Sequence, residues 1–270
     1  EMSAELGWIV LAGLAVGGSL GGLGGGGSIL AVPALVYLLG QSVPTATTGS
    51  LVIVGTSAAV GAISHHRAGT LRPRLGLTFG VLGTVGSYLG TRAAAGLAGP
   101  VLLTAFSGLM VVVAILMIRR QRAAEGSSGS GGMPVSAAGE GARGVSWTRV
   151  VGAATGVGLL TGFFGVGGGF AVVPALVLVL GLPMSVAVGT SLLVISINSA
   201  TALAARFASG MATEINGPVV VGFAACAAVG SVVGARAVRR VDHGLLVRGF
   251  VVLLLAIAAY LAAVNIPALS

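Results

Sequence analysis

Residues 44–64 and 185–205 are two runs of 21 residues without a charged side chain. About 20 apolar residues cross the roughly 30 Å hydrocarbon core as a helix, whereas a membrane β-strand needs only about 10. Comparable apolar runs fill most of the chain. Charged residues make up 7% of its 270 positions, against about a quarter in soluble domains. Such a chain could not clothe its surface in water, which excludes a cytosolic enzyme and a secreted domain. Apolar dominance excludes disorder as well. Aromatic residues are only 5%, too few for the girdles of a barrel. The chain is therefore expected to be an all-α integral membrane protein.

The basic residues are all arginine, and against the six acids they give a net charge of +8. In a water-soluble protein this excess would suggest nucleic acid. Between apolar segments it reads instead as loop charge that sets membrane orientation, so the expected partners are a lipid bilayer and a small anion, with no nucleic acid. The single cysteine, Cys226, lies inside an apolar run, which leaves no disulfide framework. Glu1–Glu5 is acidic and lacks the basic start of a signal peptide, so the opening apolar run is expected to belong to the fold.

The sequence repeats itself. A shift of 141 places Gly21, Gly24, Gly26 and Gly27 on Gly162, Gly165, Gly167 and Gly168, and Val32–Val36 on Val173–Val177; 16 of the 50 positions from 21 to 70 are identical. After a three-residue insertion, Gly86, Gly90 and Arg92 fall on Gly230, Gly234 and Arg236. Two motifs recurring in the same order mark a duplication. The domains expected are a first transmembrane repeat over 1–122, a flexible Gly/Ser-rich cytoplasmic linker over 123–146, and a second transmembrane repeat over 147–270.

Each repeat holds five apolar segments, near 6–22, 32–40, 44–64, 75–95 and 100–118, then 150–162, 173–181, 185–205, 217–237 and 245–264. Pro33 and Pro174 suit the first turn of a helix. Helices starting there would be about nine residues, or roughly 13 Å, long, which is too short to span the bilayer. The second segments are therefore expected to be half-helices. Arginine positions then set the topology. With an odd number of crossings per repeat, 12 of the 14 arginines fall on one side, leaving only Arg92 and Arg206 on the other; with even crossings the division is 9 to 5. The positive-inside rule favours the first arrangement: inverted-topology repeats, both termini outside, the linker in the cytoplasm, and Gly-broken half-helices meeting near the midplane.

The glycine-rich stretches precede these half-helices. Gly22-x-Gly24-x-x-Gly27 formally matches a dinucleotide fingerprint, but no strand precedes it, and no Lys-Ser/Thr pair follows to make a P-loop. Close packing through small residues is one reading. The other is backbone leaving helical geometry at membrane depth, where it must line a cavity or lie inside protein. A half-helix N-terminus then directs unpaired N–H groups and a positive dipole end at an anion, and inverted copies would face one midplane site. The residues expected to bind are Gly24, Gly25, Gly26, Gly27 and Ser28 in one copy and Gly165, Gly167, Gly168 and Gly169 in the other, with Ser50, Ser191 and Asn198 as neutral donors. Carboxylates are almost absent from the apolar segments, which argues against a cation pump. His65 and His66 read as surface residues at a helix end. No histidine lies centrally in a segment beside a serine, so an intramembrane hydrolase is not expected, nor any cofactor or metal. Arg92 and Arg236 at segment ends could contact an anion or snorkel to headgroups.

With these residues in view, the chain resembles the sulfite exporter TauE/SafE family. The resemblance rests on the doubled glycine–Val-Pro motif (Gly24–Leu35, Gly165–Leu176), on Ala46–Leu51 and Ala187–Leu192, and on Gly86–Arg92 and Gly230–Arg236. It implies a plasma-membrane exporter of a small sulfur-containing anion such as sulfite, sulfoacetate or a related organosulfonate. A channel-like pore for small inorganic anions is the alternative. Copy one departs from the motif at Ser28, where copy two has Gly169.

Overall fold

The computed structural model describes residues 2–94, 99–127, 147–164, 169–208, 217–238, 241 and 243–265. Among them the chain is all-helical: α1 (Met2–Leu23), α2 (Gly26–Pro33, continued by a π-helical turn Ala34–Leu38), α3 (Val43–Arg67), α4 (Pro73–Ala94), α5 (Gly99–Ser127), α6 (Trp147–Phe164), α7 (Gly169–Leu178), α8 (Met184–Ala208), α9 (Gly217–Val238) and α10 (His243–Asn265). Four helical stretches, Thr45–Arg67, Thr104–Arg122, Met184–Ala208 and Gly217–Val238, are long and apolar enough to cross a membrane. α5 continues through Ser127, so the first residues of the Gly/Ser-rich stretch 123–146 extend a helix.

Prolines and glycines punctuate these helices. Pro44, Pro73, Pro100 and Pro218 stand in the first turns of α3, α4, α5 and α9, where no amide hydrogen is needed. Gly40 and Gly181 end α2 and α7 at φ +61° and +71°, and the next amides bond back six residues, Gln41 to Leu35 and Leu182 to Leu176. A left-handed glycine thus closes each short helix, at equivalent positions of both copies.

The short helices start earlier than the prolines suggest. α2 begins at Gly26 and α7, as described, at Gly169, so Pro33 is the last α-helical residue of α2 and Pro174 lies inside α7. In copy one Gly24 and Gly25 reverse the chain, and it re-enters a helix at once. Past Pro33 the helix continues, with the Ala34 amide on Leu30 O, and widens to π geometry over Ala34–Leu38. The two pieces span 13 residues (26–38) and 10 residues (169–178), about 20 Å and 15 Å. Both fall short of the bilayer core, as expected of half-helices.

Helices α3 and α8 form the centre. They run antiparallel: Arg206 donates to Thr48 Oγ1 (2.9 Å), Gly55 faces Ser199, and Gly189 faces His65. Around them α1 packs along α9, and α6 along α4, with α5 against α10. The α1–α9 and α4–α6 seams are built on glycine. A Cβ at Gly17 would strike the Ala227 backbone, and one at Gly158 the Gly83 backbone; Gly230 abuts Leu14 as Gly86 abuts Thr155; Gly234 abuts Gly18 as Gly90 abuts Leu159. Each second contact is the first carried through the duplication, by 141 residues in the early segments and by 144 after the insertion. Small residues let the backbones approach closely enough for dispersion to hold helices where water supplies no driving force. Large apolar side chains such as Leu11, Val81, Val221 and Val252 lie exposed on the outside, the surface that lipid would cover.

Candidate functional site

The α1–α2 reversal is two residues long. Gly24, at φ +73°, donates its amide to Leu20 (2.8 Å) and ends α1 in the left-handed conformation that glycine adopts without penalty. Gly25 then caps α2 with no side-chain hydrogen bond, so the first-turn amides of Gly26 and Gly27 have no partner within the helix. Gly24 is pressed into the other copy: a Cβ there would lie 2.6 Å from Ser191 Oγ on α8 and 2.7 Å from Val173 Cγ2 on α7. One helical turn further along α8, a Cβ on Gly169 would lie 2.8 Å from Ser28 Oγ and 3.0 Å from Ile195 Cδ1. Ser28 and Gly169 are equivalent in the duplication, so each copy meets its own counterpart at the start of the two half-helices. Ser28, the departure from the glycine pattern, is what fills the space that Gly169 leaves.

Gly27 has a different role. A Cβ on it would overlap Val16 O and approach Leu20 N to 2.7 Å, so its missing side chain lets α2 fold back on α1. The side chains at Gly26 and Arg92 and all of Gly165, Gly167 and Gly168 lie outside the described residues.

The register of α3 on α8 locates the hydroxyls. From Thr48 to Gly55 is seven residues, and from Arg206 to Ser199 also seven. This register places the equivalent residues Ser57 and Asn198 at the middle of the crossing. Ser50 and Ser191 lie on opposite sides of that middle, about 13 residues or ~20 Å apart along the helix axis. One small anion cannot touch both. Gly24 and Ser191 belong together, as do Ser28 and Gly169, and Asn198 is one turn beyond Ile195 on the face that carries Ser191.

Each candidate hydroxyl already donates to a backbone carbonyl: Ser28 to Gly25 (2.6 Å), Ser50 to Thr47 (2.8 Å), Ser191 to Val188 (2.8 Å), and central Ser57 to Ile53 (2.6 Å). A ligand would have to exchange for those bonds. Asn198 differs: its Oδ1 is buried with no hydrogen-bond partner, a condition that costs about 1–3 kcal/mol.

A family model for the sulfite exporter TauE/SafE matches residues 9–261. The chain belongs to the sulfite exporter TauE/SafE family. Within it, a probable membrane transporter protein of Xylella fastidiosa (strain 9a5c) is 37% identical over 181 residues, 67% of this chain and 66% of that protein. The match thus spans just under two thirds of that relative's length. The probable membrane transporter protein YdhB of Bacillus subtilis (strain 168) is 28% identical over 187 residues, 69% of this chain and 73% of its own. No solved structure matches. With its long apolar helices, this TauE/SafE chain is a multi-pass membrane protein.

Two polar features of this TauE/SafE fold escape sequence reasoning. His65 is not a surface residue: it is 2% exposed, with Nδ1 2.8 Å from Thr70 Oγ1 and Nε2 3.1 Å from Gly21 O. Space for it comes from Gly189, where a Cβ would lie 2.9 Å from His65 Cβ. His66, the next residue, is exposed. The second feature is Arg206, half-buried, which donates to buried Thr48. The duplication contained a signal for both, because Arg206 is the counterpart of His65 and Gly189 that of Thr48.

Proposed function

We propose that this protein is a transporter that exports a small sulfur-containing anion, such as sulfite, sulfoacetate or a related organosulfonate, across the plasma membrane. The observation that carries this reading is the junction of two half-helices, with the start of α2, which no side chain caps, beside α7 near the α3–α8 crossing. Discontinuous helices whose N-termini face a central site are how many transporters hold anions at membrane depth. The substrate class follows from the family. Export is favoured by voltage: an anion leaving an inside-negative cell gains about 2.3 kcal/mol per charge per 100 mV. Contact between Ser28 and Gly169 closes the centre, which favours alternating access over an open channel.

The two repeats are read as inverted across the bilayer. Three observations support this: the equivalent helices α3 and α8 are antiparallel, the glycine contacts exchange between copies, and the arginines segregate. Arg67 and Arg236 line one cavity, while Arg206 binds at the opposite end of the α3–α8 pair. On this reading Arg67, Arg236 and the linker are cytoplasmic and both termini lie outside. Cysteines introduced at Ser128 and at Ala208, in a Cys226→Ala background, should then react with impermeant maleimide from opposite sides of sealed vesicles. Reaction from one side only would refute the inverted arrangement.

Transport is tested in proteoliposomes over a panel of anions, with and without imposed voltage. Sulfite or an organosulfonate should move, and faster toward the positive side; movement of chloride and nitrate with no preference for sulfur anions would favour the pore. Asn198→Ala and Ser191→Ala should each weaken substrate binding by about 1–3 kcal/mol, the range for hydrogen bonds to a charged group. Arg92→Gln, at a helix end, should leave most binding intact, as measured by isothermal titration.

A further inference from the structure

We infer that the cavity between the C-terminal ends of α3 and α9 is a second oxyanion-binding site, which loads substrate on the face that carries most of the arginines. The cavity has a volume of about 180 Å³, and among the described residues its lining is Ser64, Arg67, Ala235 and Arg236. A water molecule occupies about 30 Å³ in the liquid, so the space suits a single sulfonate- or sulfite-sized group with some hydration. Each arginine stands in the last turn of its helix, where it also complements the dipole. The dipole accounts for a cation on each helix; it does not account for what lies beneath. Ser231, one turn before Ala235 on the same face of α9, is fully buried, and its Oγ has no hydrogen-bond partner. That oxygen sits against Gly61, one turn before Ser64 on α3, at a point where a Cβ would collide with it. Both helices therefore close into a packed seam beneath the cavity, and the groups an anion would meet there are the two guanidiniums and the Ser64 hydroxyl.

The duplication shows that the cavity's pair of arginines belongs to one end only. The counterparts of Ser64, Arg67, Ala235, Arg236 and Ser231 are Ala205, Ala208, Thr91, Arg92 and Ser87. The opposite end keeps Arg92, replaces Arg67 and Ser64 by alanines and carries a hydroxyl at Thr91 instead; its other arginine, Arg206, is bonded to Thr48. Paired guanidiniums hold a planar or pyramidal oxyanion through several N–H donors, which a single one cannot match. An anion is thus captured where Arg67 and Arg236 share a cavity and released at the end where Arg206 is engaged by Thr48. The binding site stands independently of the transport reading; only the direction in which the anion then moves rests on it.

A phospholipid headgroup offers the same oxyanion chemistry, so the test separates the two sources. Ser64→Cys in a Cys226→Ala background is placed in phosphatidylcholine nanodiscs. It is then treated with an anionic sulfonatoethyl or a cationic trimethylammonioethyl methanethiosulfonate reagent. The anionic reagent should react about tenfold faster or more, the low end of electrostatic focusing in a charged cleft. Arg67→Gln and Arg236→Gln should each remove most of that preference, and millimolar sulfate or methanesulfonate should slow the reaction. Asn198→Ala, which alters the central cluster, should leave the preference in place, so failure of the central site and failure of this one are read separately. Equal rates for the two reagents, or a preference indifferent to both arginines, would overturn the site. Protection by phosphatidylglycerol nanodiscs but not by sulfate would assign the cavity to lipid and overturn loading.

Discussion

Gly158→Ala should lower the stability of the folded protein by about 3 kcal/mol, while Gly156→Ala, two residues away, should leave it unchanged or raise it by up to about 1 kcal/mol. The new Cβ at 158 would overlap the carbonyl oxygen of Gly83 and lie 2.7 Å from Gly83 Cα; nothing lies within 4 Å of one at 156. Overpacking a core costs about 1–3 kcal/mol when side chains can shift. Here the opposing atoms are backbone, which cannot rotate away, so α4 and α6 must separate along the seam. At exposed Gly156 the substitution removes only the entropy penalty of a helical glycine. Thermal midpoints by fluorescence-detected size exclusion in detergent check both. The equivalent change on the other seam, Gly17→Ala, should behave like Gly158→Ala, because its Cβ would overlap the Ala227 backbone. Equal midpoints for the 156 and 158 variants would mean that the seam is not packed as described.

Gly24→Ala should reduce transport roughly tenfold or more, equivalent to about 1.4 kcal/mol, with a folded protein still recovered. Two effects act together. Holding a residue with a Cβ at φ +73° costs about 1–2 kcal/mol. The same Cβ would lie 2.6 Å from Ser191 Oγ and 2.7 Å from Val173 Cγ2, forcing the α1–α2 reversal away from α8 and with it the amides at the start of α2. Adding Ser191→Ala removes the first of those clashes, so the double variant should fold better than additivity of the single changes predicts. The thermal midpoints of the four proteins give that coupling, and sulfite flux in proteoliposomes gives the functional loss. Wild-type flux in Gly24→Ala would reduce the glycine reversal to packing alone.

Much of this architecture is legible in the residues. Apolar length and scarce charge gave an all-helical membrane protein, since hydrocarbon tolerates little else. The 141-residue shift found the two copies and their half-helices. It also paired Ser28 with Gly169, which meet in space. Helix starts were misread at Pro33 and Pro174. A proline rule describes a local preference, and in copy one the reversal at Gly24 and Gly25 starts the helix upstream of Pro33.

The candidate site divides along the same line. Glycine at 24 and serine at 191 are visible as types in a repeated pattern, because a duplication conserves spacing. That they touch and that Ser50 lies about 20 Å from Ser191 along the helices depend on the register of antiparallel α3 and α8. Register is fixed by which side chains are small enough to let helices approach, and that is a property of facing pairs. His65 shows the consequence: its place in the chain, at a helix end beside Arg67, reads as surface, and only the absent side chain of Gly189 on another helix makes it buried. The sequence by itself determined the solvent this protein lives in, its duplication and the segments that break. The tertiary structure alone decided which glycines pack, which hydroxyls converge and where two arginines share a cavity, because those depend on distances between helices that no single segment encodes.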